Sequence, residues 1–146
     1  MIIGSISENK KLEKRISITP EIAKKYIDLG FEVQLSENYG KHLGFEEKEY
    51  SEFGVKFIND DRKLIENADI IIQMNLLSED KISILKSNQT FIGILSPYEN
   101  KNKLEELSKK KINLFSLELL PRITRAQSMD ILSSQANLAG YKAVIE

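Results

Sequence analysis

The chain has no cysteine and no tryptophan, one histidine, three prolines and seven glycines that never cluster. Each shortage removes a class of chemistry. Without cysteine there is no disulfide and no thiolate to act as nucleophile or metal ligand, a composition that fits a reducing compartment. The lone histidine, His42, cannot assemble an imidazole metal centre by itself and reads as a surface-loop residue. The scattered glycines match neither GxGxxG nor a Walker-type phosphate loop, so the chain carries no dinucleotide fingerprint of its own. No apolar run approaches the roughly 18 residues of a membrane span. The opening MIIGSISENKK places its apolar residues before its charges, the reverse of a secretion signal, and the chain reads as cytoplasmic. With 21 basic and 22 acidic residues the net charge is −1, which provides no field to gather nucleic acid.

What is present suits a folded domain. A 146-residue chain with 41% hydrophobic and 29% charged residues can bury a core and is of ordinary size for one unit. Short β-rich runs alternate with helical patterns throughout. Met1 to Ile6 reads as a buried strand. Thr19, Pro20, Glu21 and Gly30 punctuate a helix as N-cap, first position, first-turn acid and stop. Phe31, Val33 and Leu35 alternate as a second strand. Helices are predicted near Phe45–Phe53, Asp61–Asn67, Ser78–Lys86 and Lys101–Lys110, with Asp60 and Asp61 as a capping pair and Lys109–Lys111 at a helix end. Strands are predicted at Val55–Ile58, ADIIIQM, TFIGIL and INLFSLELL. Ile70–Ile72 and Ile92–Leu95 are apolar without alternation, as strands covered on both faces are. The expected fold is α/β: a three-layer α/β/α domain around a mostly parallel, flavodoxin-like (Rossmann-like) sheet, ending in a connecting helix.

In such sheets ligands bind beyond the carboxyl ends of the strands. The segment following the last strand, LPRITRAQSMDILSS, is unlike the rest of a lysine-rich chain: it holds two of the four arginines, Arg122 and Arg125. Thr124 with Gln127 three residues on satisfies a capping box, a purely structural role. That leaves Arg122, Asp130 and Ser133 unexplained. A guanidinium fork, a carboxylate, a hydroxyl and the donor–acceptor amide of Gln127 together suit a neutral, amide-bearing, hydroxylated ligand. The following helix carries Ala136, Ala139, Gly140 and Ala143 on one stripe, suited to close packing. Its bare end reads as the start of a longer polypeptide.

PRITRAQSMDILSSQANLAGYKAVIE resembles the segment joining the two subdomains of the NAD-binding α subunit of the proton-translocating NAD(P) transhydrogenase family. Weaker resemblances run through R-x-S-x-T-P at Arg15–Pro20, LGFEV at Leu29–Val33 and ADIIIQMN at Ala68–Asn75. The resemblance implies residues 1–126 as an N-terminal α/β subdomain and 127–146 as the loop and helix start leading to an NAD-binding Rossmann domain. It implies that Arg122, Gln127, Asp130 and Ser133 bind the nicotinamide and its ribose, with Gln127 and Asp130 serving catalysis by juxtaposing NAD(H) with NADP(H) held on a partner domain. It further implies a homodimer, a membrane domain coupling hydride transfer to proton translocation, and a location peripheral to the inner membrane. Alone, this length of chain should neither bind NAD tightly nor turn over.

Alanine dehydrogenases share this N-terminal fold and are the main alternative. They use a lysine at the end of the fourth strand and a histidine after the fifth, where this chain has Gln73 and Ser96-Pro97-Tyr98. Arg15 fits their carboxylate-binding arginine but stands alone here, and Gln73 is assigned no role. A non-catalytic α/β interaction module is the second alternative.

Overall fold

The computed structural model describes residues 1–146. Its strands are β1 (Ile2–Ser5), β2 (Glu32–Ser36), β3 (Lys56–Ile58), β4 (Ile70–Asn75), β5 (Thr90–Ile94) and β6 (Asn113–Ser116). They form one sheet in the order β3-β2-β1-β4-β5-β6, and every neighbouring pair is parallel. The parallel three-layer fold is as expected, and entirely rather than mostly parallel. Its order is the Rossmann 3-2-1-4-5-6, not the flavodoxin-like 2-1-3-4-5. The direction of winding reverses between β1 and β4.

The helices are α1 (Pro20–Asp28), α2 (Glu47–Ser51), α3 (Asp61–Asn67), α4 (Glu79–Ile82), α5 (Lys101–Lys109) and α6 (Ile131–Ile145). Local chemistry sets the boundaries of the best-punctuated ones. Thr19 Oγ1 accepts the Ile22 amide at the start of α1, Pro20 opens it, and Gly30 follows it at φ +88°. Asp60 caps α3 through the Arg62 and Lys63 amides, but Asp61 is no second cap. Its carboxylate instead accepts Ser36 Oγ and pairs with Lys81, each at 2.7 Å, joining β2 to α4.

Two apolar clusters occupy opposite sheet faces. Ile3, Ala23, Val33, Leu35, Tyr39 and Tyr50 pack under α1 and α2; Leu64, Ile65, Ile71, Phe91, Leu95 and Leu107 pack under α3 and α5. Gly4 shows how closely α3 lies on β1: a Cβ there would fall 2.8 Å from both Ala68 Cβ and Leu64 Cδ2. Between β4 and β5 the register shifts from Ile72 to Asn75, and Gly93 passes so near the Gln73 carbonyl that a Cβ would lie 2.6 Å from its oxygen.

Three predicted elements are shorter than the sequence pattern implies. INLFSLELL pairs only as far as Ser116, after which Leu117–Leu119 is a 3-10 turn. The helix expected over Ser78–Lys86 closes after Ile82, and the one over Phe45–Phe53 spans Glu47–Ser51. In the first case a carboxylate ends the strand: Glu118 Oε1 accepts the Ser96 amide and draws the chain out of the ladder towards the end of β5.

Candidate functional site

The segment after β6 folds as Pro121–Ile123, a 3-10 turn at Thr124–Met129, and α6. The expected capping box at Thr124 and Gln127 does not form; no side chain caps the 3-10 turn. The cap is further on, at Asp130. Asp130 Oδ1 accepts the Leu132 and Ser133 amides, both at 3.0 Å, and Asp130 Oδ2 accepts Ser133 Oγ at 2.6 Å. A carboxylate facing a helix N-terminus satisfies two orphan donors and complements the dipole, which a Thr–Gln pair matches less well. Ala126 is the buried residue of the turn. The Gln127 amide is thereby released from capping.

Arg122, Gln127, Asp130 and Ser133 line a single open cavity of about 380 Å³. The four site residues expected from sequence are thus brought together, by a 3-10 turn and the start of a helix. The hydrogen bond from Ser133 Oγ, then the backbone amides and the charge of Arg122, hold the Asp130 carboxyl below its ordinary value. It is an anion at neutral pH. Because Ser133 directs its proton to Asp130, its hydroxyl oxygen remains an acceptor. The cavity therefore offers the cationic fork of Arg122, the two-way amide of Gln127 and acceptors on Asp130 and Ser133. That set can hold a carboxamide and vicinal hydroxyls, and it contains no nucleophile or general base of neutral pKa.

A second arrangement lies at the seam between β1 and β4. Gln73 is 4% exposed, and both polar atoms of its side-chain amide are engaged. Gln73 Oε1 accepts Ser5 Oγ and the Ile6 amide, both at 2.8 Å, and Gln73 Nε2 donates to Glu8 Oε1 at 3.2 Å. Glu8 Oε1 also accepts the Met74 and Asn75 amides. Burial pushes the Glu8 carboxyl above the usual range, against those bonds. Tyr39 Oη accepts the Ser17 and Ile18 amides; since Ser5 gives its proton to Gln73, the Tyr39 proton goes to Ser5 Oγ at 2.9 Å. Gln73, assigned no role from sequence, is the hub that ties the β1–α1 loop to the sheet.

Arg15 is likewise occupied. Its Nε and Nη2 donate to the two carboxylate oxygens of Glu13 at 2.9 and 2.7 Å, and its Nη1 donates to Gln135 Oε1 at 3.0 Å. Glu13 and Gln135 gave no sequence signal, because the spacing of Glu13 and Arg15 is common in solvated loops and Gln135 lies 120 residues away from Arg15. His42 is exposed, as expected, but it lies in a 3-10 turn at Lys41–Leu43 rather than a loop, and its Nε2 donates to the Lys14 carbonyl at 2.7 Å. No group of three or more metal-ligating side chains occurs, and no helix is long and apolar enough to cross a membrane.

Comparison with known proteins gives the family of the chain. The family described as "Alanine dehydrogenase/PNT, N-terminal domain" matches residues 4–139. An NAD(P) transhydrogenase subunit alpha polypeptide of Rickettsia prowazekii is 41% identical over the whole of this chain and 39% of its own length. The corresponding Rhodospirillum rubrum protein is 36% identical with the same two coverages. The crystal structure of transhydrogenase from Sinorhizobium meliloti superposes with a TM-score of 0.91 at 36% identity, covering 99% of this chain and 43% of that one. The chain spans about two fifths of the length of these relatives. Sequence match and superposition agree from one end of the sheet to α6, and the chain belongs to the alanine dehydrogenase/PNT N-terminal domain family.

Proposed function

We propose that the chain is the N-terminal part of a transhydrogenase α subunit and supplies one wall of a nicotinamide site. The observation that carries this reading is the convergence of Arg122, Gln127, Asp130 and Ser133 on one cavity. When bound, NAD(H) and NADP(H) supply the hydride donor and acceptor, so the protein's task is positioning. Gln127 can accept from and donate to a carboxamide; Asp130 and Ser133 can accept ribose hydroxyls; Arg122 can screen the adjoining charge. The adenosine half would be held by a Rossmann domain, the second nucleotide by an NADP-binding partner domain, and the whole would work as a homodimer. Peripheral attachment to a membrane domain at the cytoplasmic face would couple hydride transfer to proton translocation.

The amino-acid dehydrogenase alternative finds little support in the seam. A keto acid needs free cations, whereas Gln73 is neutral and already bonded to Ser5, Ile6 and Glu8, and the Arg15 fork is filled by Glu13. The two readings separate on pyruvate- and ammonia-dependent oxidation of NADH.

The test uses the polypeptide extended through its nucleotide-binding domain and mixed with the NADP-binding partner. Gln127→Asn, which shortens the amide's reach by one methylene, should slow hydride transfer roughly tenfold or more while NADH affinity stays within about twofold. An unchanged rate, or tight NADH binding by the 146-residue chain alone, would sink the proposal.

A further inference from the structure

α6 is 15 residues long, yet none of its residues is buried and only Ile131 is partly so. Such a helix takes its direction from few contacts. Ile131 and Gln135 stand one turn apart on the side facing the body. Both line a cleft of about 250 Å³ with Arg15, Ile72, Met74 and Ile94, at the carboxyl ends of β4 and β5. Ile131 offers an apolar contact that permits pivoting. The hydrogen bond from Arg15 Nη1 to Gln135 Oε1 supplies the second point that a direction requires.

Arg15 is itself immobilised. Glu13 grips its fork with both oxygens, and Glu13 Oε2 accepts Asn75 Nδ2 at 3.4 Å, which refers the pair to the end of β4. All three guanidinium nitrogens are thus engaged by two partners that face different ways, a geometry a single ammonium cannot reproduce. The chain of contacts runs Asn75, Glu13, Arg15, Gln135, and it ends close to Ser133 in sequence.

We propose that Arg15 is a positioning residue: clamped by Glu13, it holds Gln135 and so sets the angle at which α6 presents Asp130 and Ser133 to the cavity. The inference rests on the nicotinamide reading above only for its consequence; the brace itself needs no ligand.

Amide hydrogen exchange on the full 146-residue chain tests it. Arg15→Met keeps the aliphatic stem and removes the fork; Gln135→Ala removes the acceptor. Each should accelerate exchange at Ser134–Leu138 about 3- to 10-fold, with β1 and β4 unchanged, and the double variant should add nothing, as expected for one shared hydrogen bond. Gln135→Glu turns the bond into an ion pair and should slow exchange there, an effect lost when combined with Arg15→Met. Wild-type exchange in Arg15→Met, additive single effects, or equal acceleration in β1 and β4 would overturn the brace. No nucleotide enters this measurement, so failure of the Gln127→Asn experiment would remove the nicotinamide reading and leave the exchange result to judge Arg15 alone.

Discussion

Ser5 Oγ donates to Gln73 Oε1 at 2.8 Å across the seam where the winding of the sheet reverses. The two residues sit on β1 and β4, the adjacent strands whose connections lead away in opposite directions. In open α/β sheets this crevice commonly takes a ligand. Here the chain closes part of it with its own side chains: Gln73, Glu8 and Tyr39 bind five backbone amides between them, those of Ile6, Met74, Asn75, Ser17 and Ile18.

That network is a stability element. Gln73→Leu would leave Ser5 Oγ, the Ile6 amide and Glu8 short of a partner, and should cost about 2–4 kcal/mol. Tyr39→Phe strips the acceptor from two amides and should cost about 2–3 kcal/mol, whereas Tyr50→Phe, losing one bond to the Ile18 carbonyl, should cost about 1 kcal/mol. Urea unfolding at pH 7 measures all three. A Tyr39→Phe loss no larger than that of Tyr50→Phe would contradict the bonding scheme.

Ser96 carries a different kind of cost. It adopts φ +45° at the carboxyl end of β5, held there while its amide meets Glu118 and its carbonyl accepts the Glu99 and Asn100 amides. A side chain in the left-handed region is unfavourable by about 1–2 kcal/mol. Ser96→Gly should therefore stabilise the chain by about 1 kcal/mol, part of the gain being offset by the greater freedom of glycine when unfolded. The midpoint of thermal unfolding should rise; a fall would mean that the Ser96 side chain makes a contribution of its own.

Acid should weaken the clamp on Arg15. The hydrogen bonds from Arg15 hold the Glu13 carboxyl at about 2, well below its unfolded value. A depressed carboxyl stabilises the fold above its unfolded pKa, and that stability is lost as pH falls from about 4.5 towards 2. Arg15 is 44% exposed, so screening reduces the effect to about 1–2 kcal/mol. Glu8, raised by burial and in part by the Glu13 charge, runs in the opposite sense, so the difference between wild type and Glu13→Gln reports the loss of Glu13 together with its small relief of Glu8. The stability gap between them in urea should be full at pH 6 and shrink steadily below about pH 4.5; a gap constant to pH 3 would refute it.

The fold was legible wherever the signal is local. Thr19, Pro20 and Gly30 mark α1 without reference to the rest of the chain, and the apolar triplet Ile70–Ile72 marks a strand covered on both faces. Strand order was not legible in the same way, since it depends on which edge each crossover reaches, and the flavodoxin and Rossmann orders share one alternation of elements. Within the site, residue types singled out Arg122, Gln127, Asp130 and Ser133, which line one cavity, but not their arrangement. Thr124 and Asp130 are both competent caps, and burial of Ala126, which spacing does not reveal, accompanies the choice of the second. Gln73 looked idle because its reach to Ser5, Ile6 and Glu8 exists only after β1 and β4 pair. Asp61 looked like a spare cap for the same reason, its partners Ser36 and Lys81 lying on other elements.

α6 exposes Leu138, Tyr141, Val144 and Ile145 to water, each more than half accessible. All lie more than a turn beyond Ser133, while Gln135 and Ile131 hold the near end. Colloidal behaviour and ligand geometry are therefore separable along a single helix. Polar replacement of the far residues can be used to tune solubility while the cavity lining stays intact, and any sensitivity of the cavity to those replacements would have to travel through the backbone of α6 rather than through side-chain contact.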